Sequence, residues 1–165
     1  MSEQTSTLTK GVVALALAIT LNFLVYLSST EAGQAVAENT VVNVKVNGSV
    51  DDVVSRLKKL VADNDMMVMG ELHQGRVLSM TGLSVQSETL FVGSPVVGKQ
   101  LFSAEPGAGV VVPVRINIYA DARGNTVASY AKPSALLGTF GNPNVDKIAG
   151  MLDAKLQNLV QMLAQ

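Results

Sequence analysis

The fold is decided at TVVNVKVNGSVDDVVSRLKKLVAD, residues 40–63, where the chain changes from one apolar periodicity to another. Valine occupies alternate positions within residues 40–46, which predicts a half-buried β-strand. Beyond the Asn47-Gly48 turn, valine and leucine recur at helical spacing over residues 50–61, which predicts an amphipathic helix. A strand and a helix that each carry one apolar face bury those faces together, so we expect a helix packed on a sheet.

The rest of residues 40–165 extends this pattern. Ser49 is followed three residues later by Asp52, close to the capping box that begins a helix. We expect further strands over residues 66–72, 89–92, 110–120 and 126–131, a short helix after residue 95, and a closing helix over residues 143–163. No element is assigned to residues 73–82. The sequence therefore predicts an α+β fold, a two-layer domain of a mixed β-sheet with helices packed on one face.

The N-terminal segment is predicted to hold this domain at a membrane. GVVALALAITLNFLVYL, residues 11–27, carries no charge, and residues 8–29 reach about 33 Å as a helix, enough to cross a hydrocarbon core of about 30 Å. The expected organisation is a transmembrane anchor over residues 1–29, a small polar linker over residues 30–39, and the globular domain over residues 40–165.

A cleaved signal peptide is the alternative, because Ala35-Val36-Ala37 offers a small-residue cleavage site. The apolar run is long for that purpose, and Lys10 alone supplies its positive charge. Lys10 precedes the run, whereas Glu31 and Glu38 follow it, which places the N-terminus in the cytoplasm. We therefore expect the globular domain on the periplasmic or extracytoplasmic side.

Composition excludes several classes of function. The sequence contains no cysteine, which rules out disulfides, thiolate metal sites and iron–sulfur clusters held by thiolates. Residues 38–165 carry eleven acidic and eleven Lys or Arg residues, and their densest basic group is flanked by aspartates. Nucleic acid is not an expected partner, because phosphate neutralisation needs a clustered basic surface.

A family resemblance comes from three segments taken together. TLFVGSPVVGKQL, residues 89–101, runs from a strand through G-x-P-x-x-G; VPVRINIY, residues 112–119, follows; and Tyr130-x-x-Pro133 closes a hairpin. The combination resembles the domain-of-unknown-function 302 family over roughly residues 40–165. The resemblance implies a compact α+β domain, similar to members seen as homodimers, with no agreed activity. Ser94 and Val112 depart from the residues common in that family, so no ligand is carried over.

The sequence does not predict an enzyme. Its single histidine excludes sites built from paired histidines, and no G-x-S-x-G elbow is present. One cofactor hypothesis places His73 with a methionine, Met69 above all, as ligands of haem iron or copper. If the strand extends to His73, then Met67, Met69, Glu71 and His73 share one face. Core filling is the alternative role for these methionines, and no cofactor is predicted.

An excess of apolar residues points to a protein partner. We expect an interface, with a second copy or with a subunit of a membrane complex, from a set of residues in one segment: Val96, Val97, Leu101, Phe102, Val110 and Val111. Burial of these residues on both sides of the sheet is the alternative. Two functions remain open: a non-enzymatic membrane-anchored accessory or interaction domain, and a small-ligand or haem/copper carrier in electron transfer.

Overall fold

The computed structural model describes residues 40–165. The predicted anchor, signal peptide and linker all fall within residues 1–39 and lie outside the described residues. Within residues 40–165, the helices are too short or too polar to cross a bilayer. The strands are β1 (Val41–Val46), β2 (Met67–Leu72), β3 (Ser87–Gly93), β4 (Val114–Ala120) and β5 (Thr126–Ala131). The helices are α1 (Val50–Asp63), α2 (Gln74–Ser79), α3 (Pro95–Ala104), α4 (Pro133–Leu137) and α5 (Pro143–Leu163).

The five strands form one sheet in the order β1-β5-β4-β3-β2. Every neighbouring pair is antiparallel. The α+β prediction is confirmed, but the sheet is antiparallel throughout rather than mixed. The reason lies in the connection through α1, which carries the chain from one edge of the sheet to the other. The strands β1 and β2 therefore run in the same direction without ever becoming neighbours.

The predicted capping box begins α1. The Ser49 hydroxyl accepts a hydrogen bond from the Asp52 backbone N–H at 3.2 Å, and the Asp52 carboxylate accepts one from the Ser49 backbone N–H at 3.4 Å. Two otherwise unpaired backbone donors at the helix start are thus satisfied. The Ser49 hydroxyl also donates a hydrogen bond to the Asp52 carboxylate at 2.6 Å. This bond, and then the one from the Ser49 backbone N–H, lowers the pKa of the Asp52 carboxyl.

The main core lies between the sheet and two helices on one of its faces. Leu57 of α1, Ile116 of β4 and Leu156 of α5 are each fully buried in it. The strand alternation sets this side: Val42, Val44 and Val46 face the core, as predicted, while the residues between them are exposed. The prediction that helices 50–63 and 143–163 pack on one face is confirmed.

The centre of the other sheet face is polar. The hydroxyls of Ser87 and Thr89 both donate to the Asn117 side-chain oxygen, at 3.0 and 3.2 Å. Gln74 at the start of α2 donates in turn to the Thr89 hydroxyl. Hydrogen bonds between side chains of adjacent strands thus satisfy this face.

A second apolar cluster lies beside the sheet, under the first half of α5. It joins Leu101 of α3, Leu137 of α4 and Val145 and Leu152 of α5. Residues in the second half of α5, including Leu156 and Leu163, belong to the main core instead. A helix of 21 residues is about 30 Å long, so it reaches both clusters. The helix α5 therefore packs against both apolar clusters and connects them.

Several predicted element boundaries are wrong. The strand expected over residues 110–120 begins at Val114, and Val110 is the last residue of a 3-10 helix, Pro106–Val110. Pro113 explains the late start, because it has no N–H to give to a neighbouring strand. The strand expected from Thr89 begins at Ser87. The short helices α2 and α4 were not expected, because neither is long enough to show an apolar period.

Truncation of α5 should test its place in the core. We expect Leu156→Ala to lower the free energy of unfolding by about 2–5 kcal/mol, because a fully buried leucine leaves a cavity. Met151→Ala is the matched control on the same helix: its side chain is 49% exposed, so the change should stay within about 0.5 kcal/mol. Urea denaturation followed by circular dichroism gives both values. Equal losses would contradict the assigned burial.

Candidate functional site

A cluster of charged side chains lies where β2, β3 and α1 meet. Glu71 is the next-to-last residue of β2 and pairs with the buried Leu90 of β3, so it faces the helices. Glu88 precedes Leu90 by two residues on β3 and faces the same way. Lys58 reaches the two carboxylates from α1. His73 follows β2 at the turn into α2 and completes the cluster.

The atoms of this cluster are close together. The Lys58 Nζ lies 2.7 Å from Glu71 Oε1 and 3.9 Å from Glu88 Oε1. The His73 Nδ1 lies 3.1 Å from Glu88 Oε2 and 3.9 Å from Glu71 Oε1. The Glu88 side chain is only 14% exposed, while that of His73 is 42% exposed. The Glu88 carboxylate is therefore shielded from solvent, whereas the His73 imidazole is partly open to it.

The two carboxyl groups lie close enough to influence each other's protonation. Burial, and then the hydrogen bond with Glu71, raises the pKa of the Glu88 carboxyl. The hydrogen bond from Glu88, and then the one from Lys58, lowers the pKa of the Glu71 carboxyl. Of the two groups, Glu88 therefore holds a shared proton more tightly.

This arrangement offers three metal-ligating groups in one place. Ligand atoms of Glu71, His73 and Glu88 all lie within 4.8 Å of one another. Beside them is a cavity of about 260 Å³, whose lining includes His73, Glu88, Ser49 and Arg76. An imidazole with two carboxylates is a ligand set that divalent transition metals accept.

The structure places His73 and Met69, the two candidate cofactor ligands, in different cavities. Met69 lines an apolar cavity of about 210 Å³ together with Val97, Phe102 and Pro113. A register shift between Val68 and Gly70 interrupts the alternation of β2. Residues 67, 69, 71 and 73 therefore do not form the single face that an uninterrupted strand would give. Binding of haem or copper by the chain stays the alternative hypothesis.

The predicted interface segment does not stay together on one surface. Leu101 is fully buried in the second apolar cluster, so the structure removes it from the candidate interface. Val97 and Val111 are half-buried against that same cluster. Val96, Phe102 and Val110 remain exposed. The reason is that one side of α3 packs against α5. The sequence of α3 alone does not show which of its sides meets another helix.

A different segment exposes more apolar surface. Of the fourteen large hydrophobic side chains exposed in the described part of the chain, eight fall between residues 67 and 85. They come from the edge strand β2, from α2 and from the loop that follows: Met67, Met69, Leu72, Val77, Leu78, Met80, Leu83 and Val85. We call these eight residues the edge surface. Met80 is the most exposed of them, at 86%.

Sequence reasoning missed Glu88, Lys58 and much of the edge surface. The predicted strand begins at Thr89 and does not include Glu88, so the face of the Glu88 side chain follows only from the observed start of β3 at Ser87. Lys58 is an ordinary solvent-facing lysine in the helical pattern. Glu71-x-His73 on a strand was the available signal, because alternate strand residues can meet at one site.

Comparison with known proteins agrees with the fold. The family model described as "Domain of unknown function DUF302" matches residues 42–163. A solved structure with the same architecture is the "uncharacterized conserved protein DUF302 from Bacillus stearothermophilus". It superposes with a TM-score of 0.71 at 19% sequence identity, covering 75% of this chain and 98% of that one. None of the curated proteins matches the sequence. At this identity the similarity describes the fold alone.

Proposed function

The chain belongs to the DUF302 family, and we propose that its domain is a non-enzymatic interaction module that docks on a protein partner through the edge surface. The observation that carries this proposal is the concentration of exposed hydrophobic side chains between residues 67 and 85. Apolar patches beyond a few hundred Å² are uncommon on monomeric proteins and mark contact sites. Three of the eight side chains are methionines, whose flexibility suits an adaptable contact surface.

The partner we propose is a second copy of the same chain. Within residues 40–165, β2 pairs only with β3, so its outer edge presents unpaired backbone groups. An edge of this kind can pair with another strand. Two β2 strands related by a two-fold axis would pair antiparallel and bring two identical edge surfaces together.

The charge of this region also suits self-association. Between residues 66 and 86 the ionisable residues are Glu71, His73 and Arg76. Identical surfaces repel when they carry many charges of one sign. Here the negative charge of Glu71 is matched by the positive charge of Arg76. Glu71 is moreover held by Lys58 on the helix-covered side of the sheet. Two copies can therefore meet at β2 without a large electrostatic cost.

We place this module at a membrane, outside the cytoplasm. The support comes from the uncharged run in residues 11–27 and from the order of Lys10 before it and Glu31 after it. In this arrangement the domain acts as an accessory part of a larger membrane complex. A pair of anchored copies would gain from confinement to one surface, because confinement raises their effective concentration.

Charge substitution on the edge surface should separate the two copies. In mild detergent we expect the full chain to sediment as a dimer. The variant Met80→Glu with Leu83→Glu should dissociate at least tenfold more readily, because each interface would then bury acidic groups without partners. Met151→Glu is the matched control: Met151 is 49% exposed on α5, outside the edge surface, and the dimer should persist.

Three results would contradict this assignment. A wild-type chain that is monomeric at all concentrations would rule out the second copy as the partner. A doubly substituted chain with an unchanged dissociation constant would exclude the edge surface. Binding of the wild type, but not the variant, to phosphatidylcholine vesicles would assign this surface to the bilayer, provided that neither protein dimerises.

The membrane anchor is tested separately by mass. We expect the chain isolated from membranes to have the intact mass of a protein that retains residues 8–29, and to remain in the membrane fraction after a high-salt wash. Salt removes proteins held by surface charge but leaves an apolar helix in place. A mature chain that begins near Glu38 would establish the signal-peptide alternative instead.

A further inference from the structure

We propose that Glu71, His73 and Glu88 form a binding site for a divalent transition-metal ion, and zinc is the ion with which we test it. This inference is independent of the proposed interaction function. It is carried by the convergence of three ligating groups, whereas the proposed function is carried by exposed apolar side chains. The metal-site proposal can therefore be wrong while the proposed interaction function is right, and the reverse also holds.

The ligand chemistry selects the class of ion. Zinc is bound in proteins by imidazole nitrogen at about 2.0–2.1 Å and by carboxylate oxygen at about 2.0–2.2 Å. Magnesium and calcium prefer sites made of oxygen alone, so the imidazole of His73 disfavours them. The sequence contains no cysteine, and the three ligating groups include no thioether, so copper(I) and iron–sulfur clusters are not favoured at this site.

The geometry needs only a small adjustment. Tetrahedral ligands at these bond lengths lie about 3.3–3.5 Å apart. The His73 Nδ1 is already 3.1 Å from Glu88 Oε2 and 3.9 Å from Glu71 Oε1. Glu71 and Glu88 stand on paired strands, which fixes their backbones, and only side-chain rotations are required. His73 is the N-cap residue of α2, and rotation of its side chain brings the ring into position.

The site has room for a further ligand. Three protein groups leave one position of a tetrahedral ion open, as in zinc sites that bind water or a small molecule. The neighbouring cavity of about 260 Å³ lies on the side of His73 and Glu88. Arg76 lines the same cavity and takes part in no ion pair among the described residues. The fourth ligand is therefore water or a small anion that Arg76 can attract.

Lys58 distinguishes this proposal from a purely structural ion-pair cluster. Its ammonium lies 2.7 Å from Glu71 and 3.9 Å from Glu88, so it already neutralises part of the charge that a metal ion would meet. Removal of Lys58 from a structural cluster would only weaken the domain. Removal of Lys58 from a metal site eliminates a competing cation, and the affinity for zinc should rise.

The experiment is calorimetric titration of the full chain, without a histidine tag, with zinc chloride in mild detergent. We expect one ion per chain. Glu88→Gln and His73→Gln should each weaken binding at least tenfold, and Lys58→Met should tighten it severalfold. Asp63→Asn is the matched control, because the Asp63 carboxylate pairs with a lysine of α1 but lies outside the cluster. The affinity of this variant for zinc should equal that of the wild type. Magnesium chloride in excess should not displace the zinc.

A second readout separates ligand loss from misfolding. The sequence contains one histidine, so the ring signals of His73 in the NMR spectrum report on the site without ambiguity. They should shift on titration with zinc in the wild type and stay in place in Glu88→Gln, whose thermal midpoint should remain near that of the wild type. The proposal is overturned if the wild type binds no zinc at micromolar concentration, if the ligand variants bind equally well, or if Lys58→Met binds more weakly.

Discussion

The packing of two helices against one face of an antiparallel sheet is the constraint on which the rest of this structure depends. The helices α1 and α5 fill that face with valine and leucine, and α5 extends past the sheet to close the second apolar cluster. The side of the strands that meets the helices is apolar, and the centre of the other side carries hydrogen-bonded polar side chains. The domain therefore has a covered face, a hydrogen-bonded face and two edges.

The two edges of the sheet differ in the segment of chain that adjoins them. Each edge strand has one neighbour, β5 for β1 and β3 for β2, and the chain reaches β2 after the crossover through α1. The chain must then return from β2 to β3 through residues 73–86, and it does so with one short helix. A helix of two turns has no large apolar face of its own to bury. Its hydrophobic side chains therefore stay exposed in the connection between β2 and β3.

Sequence reasoning succeeded where one periodicity acts over a long segment. The bounds of α1 and α5, the capping box at Ser49 and the strands β1 and β5 could all be predicted, because each pattern is complete within its own segment. Failures occurred where a neighbour decides the outcome. The burial of Leu101 depends on α5, the face of Glu88 depends on the register with β4, and the bulge in β2 depends on its pairing with β3. No local pattern contains that information.

Hydrogen–deuterium exchange at increasing protein concentration tests the central claim, that the β2 edge and the apolar residues beside it are a docking surface. The outer amides of β2 have no partner within residues 40–165, so they exchange quickly in a single chain. If two copies pair at β2, peptides covering residues 67–85 should gain protection as the concentration rises through the dimer dissociation constant. Peptides covering β1, at the opposite edge, should not change. Equal exchange of residues 67–85 at all concentrations, while the chain is dimeric, would contradict the account.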